Sequence, residues 1–500
     1  MHSVILYSIE KKRINDKLQT TESNVKESVY NMSKTDSLYV RKVDRELDFV
    51  TYFNSFSLEK WKRYTNISGL KILVDTDSTL KVEVIGLDKE GKKHTIVFQA
   101  CQGNISIPVD IWQIDYPIIG IVIHGQRPTD DWNISYQGCF DDYSPINIRG
   151  VICTFNREPY LRKNINVLRP LLNDSNWFDL VIVDNGQNLS LQENDKIKIY
   201  PNRNFGGSGG FTRGIIESLR DKNIDYVLLM DDDIEIDPLV IRRAHIFLSC
   251  LKKEFKESIL AGAMLSMDEP TTQYENKAYW DKFRLKGIGK GLDLSTYQNL
   301  VINERIEKHS NMYGAWWFCC IPIQRIKKIG LPLPVFIKGD DMEYGIRNQR
   351  EVLSLNGIGV WHESFASKVS PVVNYYSDRN MLIINNYAND CNGISLCVAV
   401  LGRIVKRLFS GNLVGLHMLG KALKDYCLGF EEITRVGADK KMQELILFSK
   451  GKMGIQDWGR LIFYSFYSLV FNSKIKNDYI RFKQEKLMDD KFWKRYLGIK

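Results

Sequence analysis

The chain has 500 residues, 44% hydrophobic and 11% aromatic content, and a formal net charge of +9. This length exceeds a single hydrophobic core and predicts about three domains, while the composition excludes wholesale disorder. The charge is uneven, because residues 391–500 carry 20 Lys and Arg against 10 Asp and Glu. Such a basic segment is typical of a surface that binds acidic lipid or nucleic acid, and equally of a solvated helical face.

The sequence signals of export and membrane insertion are missing. The first residues lack a basic start, a long apolar run and a small-residue cleavage site, so no signal peptide is predicted. The longest apolar run near the end, LIFYSFYSLVF at 461–471, is far short of the ~20 residues that a spanning helix needs. Nine cysteines without a C-x-x-C pair indicate reduced thiols rather than disulfides or a zinc site. We therefore expect a cytoplasmic protein.

Four segments follow one another along the chain. Residues 1–42 are polar and weakly periodic, which predicts a loose arm. Residues 43–146 contain short strands such as LKVEVIGLD that alternate apolar and polar side chains, which predicts a β-sandwich module. Residues 147–390 alternate apolar strands with helices, which predicts an α/β domain with a mostly parallel sheet. Residues 391–500 place apolar patches and Lys/Arg at helical spacing, which predicts a basic helical domain.

Polar side chains follow the strands of the predicted α/β domain. Ligands in open α/β sheets bind at the carboxyl ends of the strands. The sequence therefore predicts a nucleotide-type site there. The residues concerned are Asn156 and Arg157, Asp184 and Asn185, Asn202 and Asn204, and the aspartates at 231–233.

The stretch NFGGSGGFTRG, residues 204–214, is rich in glycine and precedes a helix predicted near 209–221. It is not a dinucleotide fingerprint, because Thr212 stands where the third glycine is needed, and no Lys follows Gly214 as a P-loop requires. The glycines still permit close backbone approach, and a following helix N-terminus favours an anion. The alternative is a plain strand–helix turn.

Three aspartates end the apolar strand YVLLM at residues 226–230. In an extended stretch, Asp231 and Asp233 share one face and Asp232 points away. Two carboxylates on one face suit Mn²⁺ or Mg²⁺, which can bridge a diphosphate. The alternative is a solvated acidic strand end.

The stretch KGDDMEYG supplies a second acidic pair. Asp340 followed by Glu343 resembles a capping box, which is the structural alternative to a functional role. Asp341 would then lie in the first helical turn, where the helix dipole favours its ionised form. An ionised carboxylate beside a cleft can serve as a general base.

Two further motifs have both a structural and a functional interpretation. His362 follows a short apolar strand and is either a core histidine or a further metal ligand. Trp316 and Trp317 are adjacent, and most tryptophan pairs are core residues. In an extended stretch the two rings point to opposite faces, so one of them could lie against a ligand.

These motifs together resemble a known family. FNR, VDNG, PNRNFGGSGGF, MDDDI, YGAWWFCCIP, LPLPVFIKGDDMEYG and GVWHESF occur in the order and spacing of the bacterial galactofuranosyltransferases. That resemblance covers about residues 150–385 and implies an inverting family 2 glycosyltransferase. Its central GT-A domain would have a mixed, mostly parallel sheet, preceded by the β-sandwich module and followed by the helical domain.

The resemblance also implies roles for individual residues. Asp341 would be the catalytic base, and Asp231, Asp233 and His362 would hold Mn²⁺ or Mg²⁺. The donor site would comprise Arg157, Asn185, Asn204, Gly206, Gly207 and Asp232. The acceptor site would comprise Asp340, Glu275, Trp316 and Trp317. Two positions depart from the mycobacterial members, which carry Gln at Asn185 and Trp at Gly339; the second departure lies beside the base and bears on acceptor choice.

The implied reaction moves galactofuranose from UDP-galactofuranose to a cell-surface glycan or glycolipid and forms a β-galactofuranoside. A GT-A transferase with another nucleotide sugar, and a nucleic-acid-binding protein that uses the basic domain, are the alternatives. The aspartate clusters argue against nucleic acid in the central cleft. We expect a lipid-linked acceptor, a peripheral position at the inner face of the cell membrane, and contact with anionic lipid through basic helices and exposed aromatics such as Trp493. A homo-oligomer is also considered.

Overall fold

The computed structural model describes residues 2–10, 35–43, 46–125, 131–281, 283–364, 370–385 and 392–499. In chain order these residues form an antiparallel β-module, an α/β domain with a mixed sheet, and a run of helices. This order confirms the predicted fold class. Among the described helices, none is both long enough and apolar enough to cross a bilayer.

The β-module contains, in its described part, a seven-stranded antiparallel sheet and one helix. Its elements are β1 (His2–Glu10), β2 (Arg41–Val43), β3 (Glu46–Asp48), α1 (Leu58–Tyr64), β4 (Ile67–Leu87), β5 (Lys93–Val109), β6 (Ile118–His124) and β7 (Trp132–Phe140). The long strands β4 and β5 form a hairpin along their whole length. The first half of β4 also pairs with β7, and its second half pairs with β6.

An irregularity in the β4–β5 register between Thr76 and Leu80 separates these two halves. Aromatic side chains fill the space that the halves share. Phe56, whose backbone bridges to Ile119 of β6, stacks on Tyr136 of β7 with ring centroids 5.6 Å apart. The sheet therefore encloses its own core, as a sandwich does.

The predicted loose arm is wrong for its first residues. His2–Glu10 form the edge strand β1, which pairs antiparallel with β7. Leu6 and Ile9 are buried against the module. Burial of these apolar side chains and hydrogen bonds to β7 stabilise the segment as a strand, although its local sequence is only weakly periodic. Residues 11–34 of the predicted arm lie outside the described residues.

The α/β domain follows from residue 148. Its strands are β8 (Ile148–Thr154), β9 (Phe178–Asp184), β10 (Ile197–Pro201), β11 (Tyr226–Asp231), β12 (Ile259–Ala261), β13 (Ala263–Ser266), β14 (Gln273–Glu275), β15 (Lys277–Asp281), β16 (Arg284–Ile288), β17 (Met312–Tyr313), β18 (Phe318–Pro322), β19 (Val352–Leu353) and β20 (Gly359–His362). Its helices are α2 (Glu158–Asp174), α3 (Gly206–Leu219), α4 (Pro238–Ser249), α5 (Tyr297–Glu304), α6 (Ile323–Ile329), α7 (Asp340–Asn348) and α8 (Pro371–Asn385).

The main sheet has the order β10-β9-β8-β11-β18-β12-β19. Strands β10, β9, β8 and β11 are parallel, and β18 runs antiparallel to both of its neighbours. Two three-stranded sheets flank it, β14-β13-β20 and β16-β15-β17. The sheet is thus mixed and mostly parallel, as predicted.

The main sheet separates two hydrophobic cores. Successive residues of a strand face opposite sides, and Val151 and Ile152 of β8 accordingly belong to different cores. One core is continuous with the β-module, and the other includes α3, α6 and the C-terminal helices. Burial on both faces explains why the strands read as continuous apolar runs.

The C-terminal helices are α9 (Gly393–Phe409), α10 (Leu413–Arg435), α11 (Ala438–Ser449), α12 (Ile455–Val470), α13 (Asn472–Lys486) and α14 (Lys491–Leu497). The expectation that Trp493 is exposed is wrong. Its ring is fully buried, and its Nε1 donates to the carbonyl oxygen of Pro332 at 2.9 Å. The helix α14 is therefore packed onto the α/β domain.

Helix α3 begins at Gly206, three residues before its predicted start near 209. Its glycines lie inside the helix, where they allow close packing on the sheet. A Cβ at Gly210 would lie 2.0 Å from Cys153 Sγ, and one at Gly214 would lie 2.2 Å from Val151 Cγ1. Packing against β8 explains why this stretch contains more glycines than a turn needs.

Candidate active site

A cavity of about 550 Å³ opens at the carboxyl end of β11, between the N-termini of α3 and α7. Most of the predicted site residues line it. They are Arg157, Gly207, Asp231, Asp233, Glu275, Trp316, Trp317, Asp340, Asp341 and His362.

Strand register explains why residues distant in sequence meet at this cavity. Met230 of β11 pairs with Phe318 of β18, so the end of one strand and the start of the other lie at the same edge, and the adjacent residues Asp231 and Trp317 both line the cavity. Glu275 ends β14 and His362 ends β20, and both strands pair with β13. The central sheet and a flanking sheet thus bring their polar ends together.

Asp231 and Asp233 both face His362, as predicted, although β11 ends at Asp231 and the next two aspartates lie in a turn rather than in an extended strand. His362 Nε2 lies 3.1 Å from Asp233 Oδ1 and 3.8 Å from Asp231 Oδ2. One ligand atom from each of these three residues lies within 4.8 Å of the others. Asp232 turns the other way and accepts a hydrogen bond from Thr154 Oγ1 at 2.7 Å.

The donor set of this cluster fits a divalent cation. His362 Nδ1 lies 2.6 Å from the carbonyl oxygen of Glu363, and a carbonyl only accepts, so Nδ1 carries the hydrogen. In the neutral ring the lone pair of Nε2 then faces the two carboxylates. Carboxylates are preferred ligands of Mg²⁺ and Mn²⁺, and such fixing of the second ring nitrogen is usual for metal-binding histidines.

The electrostatics of the cluster also favour a cation. Burial raises the pKa of Asp231 to about 6, repulsion from Asp233 and Asp232 adds to this rise, and His362 opposes it. Burial likewise raises the pKa of Asp232. Arg157 Nη1 lies 2.6 Å from Asp233 Oδ2 and 3.2 Å from Asp232 Oδ1. One guanidinium beside three neighbouring carboxylates leaves net negative charge in the cluster of residues 231–233.

The second acidic pair does not form the capping box considered above. Helix α7 begins at Asp340, and its N-cap is Gly339 with φ 89°. Glu343 does not reach back to the N-cap but pairs with Arg347 at 2.7 Å. Because a left-handed glycine occupies the cap, Asp340 and Asp341 both lie in the first helical turn and face the cavity.

The two carboxyl groups titrate differently. Burial raises the pKa of Asp340 to about 8, and repulsion from Asp341 adds to the rise. Burial raises the pKa of Asp341 to about 6, opposed by the backbone N–H of Met342, which donates to Asp341 Oδ1 at 2.7 Å. At neutral pH one carboxyl is therefore largely protonated and the other ionised, which is the arrangement of an acid and a base held in one site.

Glu275 faces the same part of the cavity. Burial raises its pKa to about 8, and repulsion from Asp341 adds to the rise. A neutral Glu275 at physiological pH can donate as well as accept a hydrogen bond, which suits a sugar hydroxyl.

Trp316 and Trp317 form a rigid apolar wall. Trp316 packs edge-on against Phe211, with ring centroids 5.2 Å apart. Trp317 Nε1 donates to the carbonyl oxygen of Gly262 at 2.9 Å. The two rings belong to different cores, as opposite-facing neighbours should, yet both also line the cavity.

Four of the residues predicted to bind the donor do not line the cavity, namely Asn185, Asn204, Gly206 and Asp232. Asp232 is turned away, and Asn185 is buried. Asn185 Nδ2 donates to the carbonyl oxygen of Gly206 at 3.0 Å, and its Oδ1 accepts from Asn202 at 2.8 Å. Asn204 Oδ1 accepts from the Gly206 backbone N–H at 3.1 Å. These contacts shape the start of α3, and a direct donor contact from these residues stays a prediction.

Sequence reasoning missed several residues that line the cavity, namely Phe211, Tyr274, Tyr313 and Lys338. The position of Tyr274 next to Glu275 was a usable signal. Lys338 likewise lies two residues before Asp340. Nothing local marks Phe211 and Tyr313, because tertiary packing decides which side of a core residue reaches the cavity.

Comparison with known proteins identifies the class. The family model for Glycosyl transferase family 2 matches residues 151–253, which run from β8 to the turn after α4. With the mixed sheet and the acidic cavity, this match shows that the α/β part of the chain contains a glycosyltransferase family 2 domain of the GT-A fold.

Within that class the chain is similar to galactofuranosyltransferases, which confirms the resemblance seen in its motifs. It is 26% identical over 442 residues to galactofuranosyltransferase GlfT2 of Mycolicibacterium smegmatis, covering 79% of this chain and 66% of that protein. GlfT2 of Mycobacterium tuberculosis is 26% identical over 434 residues, covering 79% and 67%. The chain thus spans about two thirds of the length of these relatives. Among solved structures, residues 1–349 of S. aureus TarS have a TM-score of 0.37 and 14% identity, covering 67% of this chain and 92% of that one.

Proposed function

We propose that the enzyme transfers galactofuranose from UDP-galactofuranose to a glycan or glycolipid acceptor, with inversion, to give a β-galactofuranoside. The observation that carries the proposal is the cavity itself, in which the Asp231–Asp233–His362 cluster, the Asp340–Asp341 pair and two tryptophans face one space. The similarity to GlfT2 supports the choice of sugar.

Asp231, Asp233 and His362 would hold Mn²⁺ or Mg²⁺. Such an ion, when bound, offsets the negative charge that develops on the leaving diphosphate. Arg157 contributes a fixed positive charge at the same place, since its guanidinium already contacts two of the aspartates. Gly207, at the start of α3, lines the same cavity, and the positive end of a helix dipole favours an anionic group.

Asp341 acts as the general base. Its carboxylate takes the proton of an acceptor hydroxyl while the hydroxyl oxygen forms a bond to the anomeric carbon. The bond between that carbon and the phosphate oxygen breaks, and its electron pair leaves with UDP. Because attack comes from the face opposite to UDP, one displacement inverts the anomeric centre.

The acceptor sugar would lie between the tryptophan wall and the carboxyl groups. The parts of Trp316 and Trp317 that line the cavity offer apolar surface for a sugar ring. Glu275 and the largely protonated Asp340 offer hydrogen bonds to its hydroxyl groups. Gly339 replaces a bulky side chain of the mycobacterial family members next to the base, so the acceptor need not be the same.

The helical domain would hold the enzyme at an anionic membrane at the inner face of the cell. Helix α9 exposes Ile394, Val398, Leu401, Val405 and Leu408 along one face. Helix α12, which packs against α9, exposes Ile455, Ile462, Phe463, Phe466 and Val470. Exposed lysines at 406, 450, 452 and 474 lie on these helices or next to them. Apolar faces with nearby basic residues are typical of interfacial helices.

A donor screen tests the proposed reaction. Purified enzyme with Mn²⁺ and a membrane glycolipid fraction is given UDP-galactofuranose, UDP-galactopyranose or a dTDP-sugar, and products are analysed by mass. We expect UDP release and hexose addition with UDP-galactofuranose. Transfer from another nucleotide sugar and none from UDP-galactofuranose would reject the donor and keep the enzyme class.

A further inference from the structure

The segment that leads into the acidic pair of α7 has an unusual backbone. Between Val335 and Asp340, three residues have positive φ: Phe336 at 73°, Lys338 at 65° and Gly339 at 89°. Left-handed conformations of residues other than glycine are uncommon and persist where surrounding contacts fix them. We call residues 335–339 the base loop, since the next two residues are Asp340 and Asp341.

A single side chain holds most of the base loop. Asn380 of α8 directs its Nδ2 to the carbonyl oxygens of Lys338 at 2.7 Å, Ile337 at 2.8 Å and Val335 at 3.2 Å. Its side chain is almost fully buried. Its Oδ1 accepts from Arg379 Nε at 2.9 Å, and Arg379 Nη2 donates to the Val335 carbonyl at 2.7 Å.

We propose that Asn380 is a positioning residue of the transfer reaction, because its amide fixes the base loop and thereby the direction in which Asp341 faces the cavity. This inference rests on the proposed role of Asp341 as the base.

The other side of the base loop contacts the donor side of the site. The carbonyl oxygen of Phe336 accepts from the backbone N–H of Ser208 in α3 at 3.1 Å. A Cβ at Gly206, whose φ is 68°, would lie 2.2 Å from the same oxygen. The loop thus lies between α3 and α8, and a shift of the loop would change the distance between the base and a donor at α3.

A buried network of polar side chains connects to Asn380 through Arg379. Arg379 Nη1 lies 3.4 Å from the hydroxyl of Tyr375, which donates to Asp425 Oδ2 of α10 at 2.5 Å. Lys421 and Lys441 pair with the same carboxylate at 2.6 and 3.0 Å. Such satisfied buried networks are rigid, because each unpaired member would carry a desolvation cost.

The test compares Asn380→Asp with Asn385→Ala. The first keeps the side-chain volume and removes both N–H donors. Asn385 lies on the same helix, is equally buried, and accepts from Trp280 Nε1 at 2.7 Å without contacting the base loop. We expect Asn380→Asp to lower kcat about 10–100-fold, as a small misplacement of a reacting group does. The KM for the donor and the Kd for UDP should stay within about twofold, because this loop change leaves the metal cluster intact.

Amide hydrogen exchange across residues 335–343 provides a readout that needs no transfer activity. Asn380→Asp should exchange faster there, and Asn385→Ala should match the wild type. Tyr375→Phe, which leaves every loop contact in place, should show a smaller fall in kcat at unchanged KM. This third variant covers the case in which Asn380→Asp does not fold.

Unchanged kcat and unchanged exchange in folded Asn380→Asp would overturn the inference. An equal fall of kcat in Asn385→Ala would overturn it too, since the effect would then be general damage to α8. Absence of transfer by the wild type on every donor would count against the proposed function, and the exchange data would still decide whether Asn380 fixes the loop.

Discussion

Three identical neighbours at residues 231–233 have three different surroundings. Asp231 is partly open to the cavity, Asp233 contacts both His362 and Arg157, and Asp232 is turned to Thr154. Strand β11 ends at Asp231, and Asp232 and Asp233 follow in a turn, so backbone direction produces this division without any difference in side-chain chemistry. Residue type alone therefore does not assign a role here, whereas residue position does.

Replacing the base should separate binding from chemistry. Asp341→Asn keeps the size of the side chain and removes its ability to accept a proton, so kcat should fall about 10²–10⁴-fold. UDP should bind with unchanged affinity, measured by titration calorimetry, because Asp341 is not part of the metal cluster. Asp141→Asn, an exposed carboxylate of the β-module, is the matched control. Retained activity in Asp341→Asn would remove its role as base.

The rate should depend on pH through the ionisation of Asp341. Burial raises the pKa of this carboxyl to about 6, and only its ionised form can act as base. We therefore expect kcat to decline below about pH 6, approaching tenfold per pH unit. Initial rates between pH 5 and 9 at saturating donor measure this limb. A decline of kcat that begins only near pH 4, where an ordinary aspartate titrates, would contradict the assignment.

The cation site can be tested without substrate. Mn²⁺ should raise the Tm of the wild type, because a ligand that binds only the folded state stabilises it. Asp233→Asn and His362→Ala should each weaken Mn²⁺ binding at least about tenfold in the same thermal titration, as each removes a ligand. Asp232→Asn lies between the ligands in sequence but faces Thr154, so it should retain the response. Equal loss in Asp232→Asn and Asp233→Asn, with binding retained in His362→Ala, would point to net charge rather than ligation.

At the scale of an element, α3 depends on the absence of side chains. In Gly214→Ala the added Cβ would lie 2.2 Å from Val151 Cγ1, and overpacking of this kind costs about 1–3 kcal/mol of unfolding free energy. Gly402→Ala in α9 is the matched control, because a Cβ there meets nothing within 4 Å. This change should raise the free energy of unfolding by about 0.5–1 kcal/mol, because alanine lowers the conformational entropy of the unfolded chain. Urea unfolding should thus show opposite signs for the two variants. A neutral Gly214→Ala would show that α3 can move away from β8.

Local sequence predicted some element ends and missed others. Asp237 caps α4, with its Oδ1 accepting from the Leu239 N–H at 3.0 Å, and Asp followed by Pro is a typical sequence for a helix start. The start of α7 was missed. The pattern of Asp340 and Glu343 suggested that Asp340 is the N-cap, but the N-cap is Gly339 in a left-handed conformation. Contacts of the base loop with Asn380 stabilise that conformation. Caps made within one turn are visible in sequence, and caps imposed by a distant helix are not.

At the scale of the molecule, the exposed faces of α9 and α12 should govern membrane attachment. Phe466→Glu removes an exposed aromatic and adds charge, and loss of one buried Phe is worth about 1.5–3 kcal/mol. Cosedimentation with anionic vesicles should therefore fall by about tenfold or more. Phe98→Glu, on the exposed side of β5, should leave it unchanged. Equal binding by the two variants would exclude these helices as the attachment surface.

The sequence predicted the order of the modules, the mixed α/β class and the facing of Asp231 and Asp233 toward one space. These features depend on period and strand direction, which local patterns record. It did not predict that Trp493 is buried or that Asn185 points away from the cavity. Both outcomes depend on partners far along the chain, Pro332 and Gly206 respectively. Amphipathic patterns identify a helix face and leave open whether protein, lipid or water covers it.

The contact of Trp493 with Pro332 has a consequence for synthesis on the ribosome. The two residues are 161 positions apart, and Tyr496 of the same helix packs against Phe205 beside the glycine-rich start of α3. At translation rates of about 5–20 residues per second, on the order of ten to thirty seconds separate the emergence of Pro332 from that of Trp493. During that interval the site strands have emerged without α14, so the apolar surface that α14 later covers is exposed to chaperones.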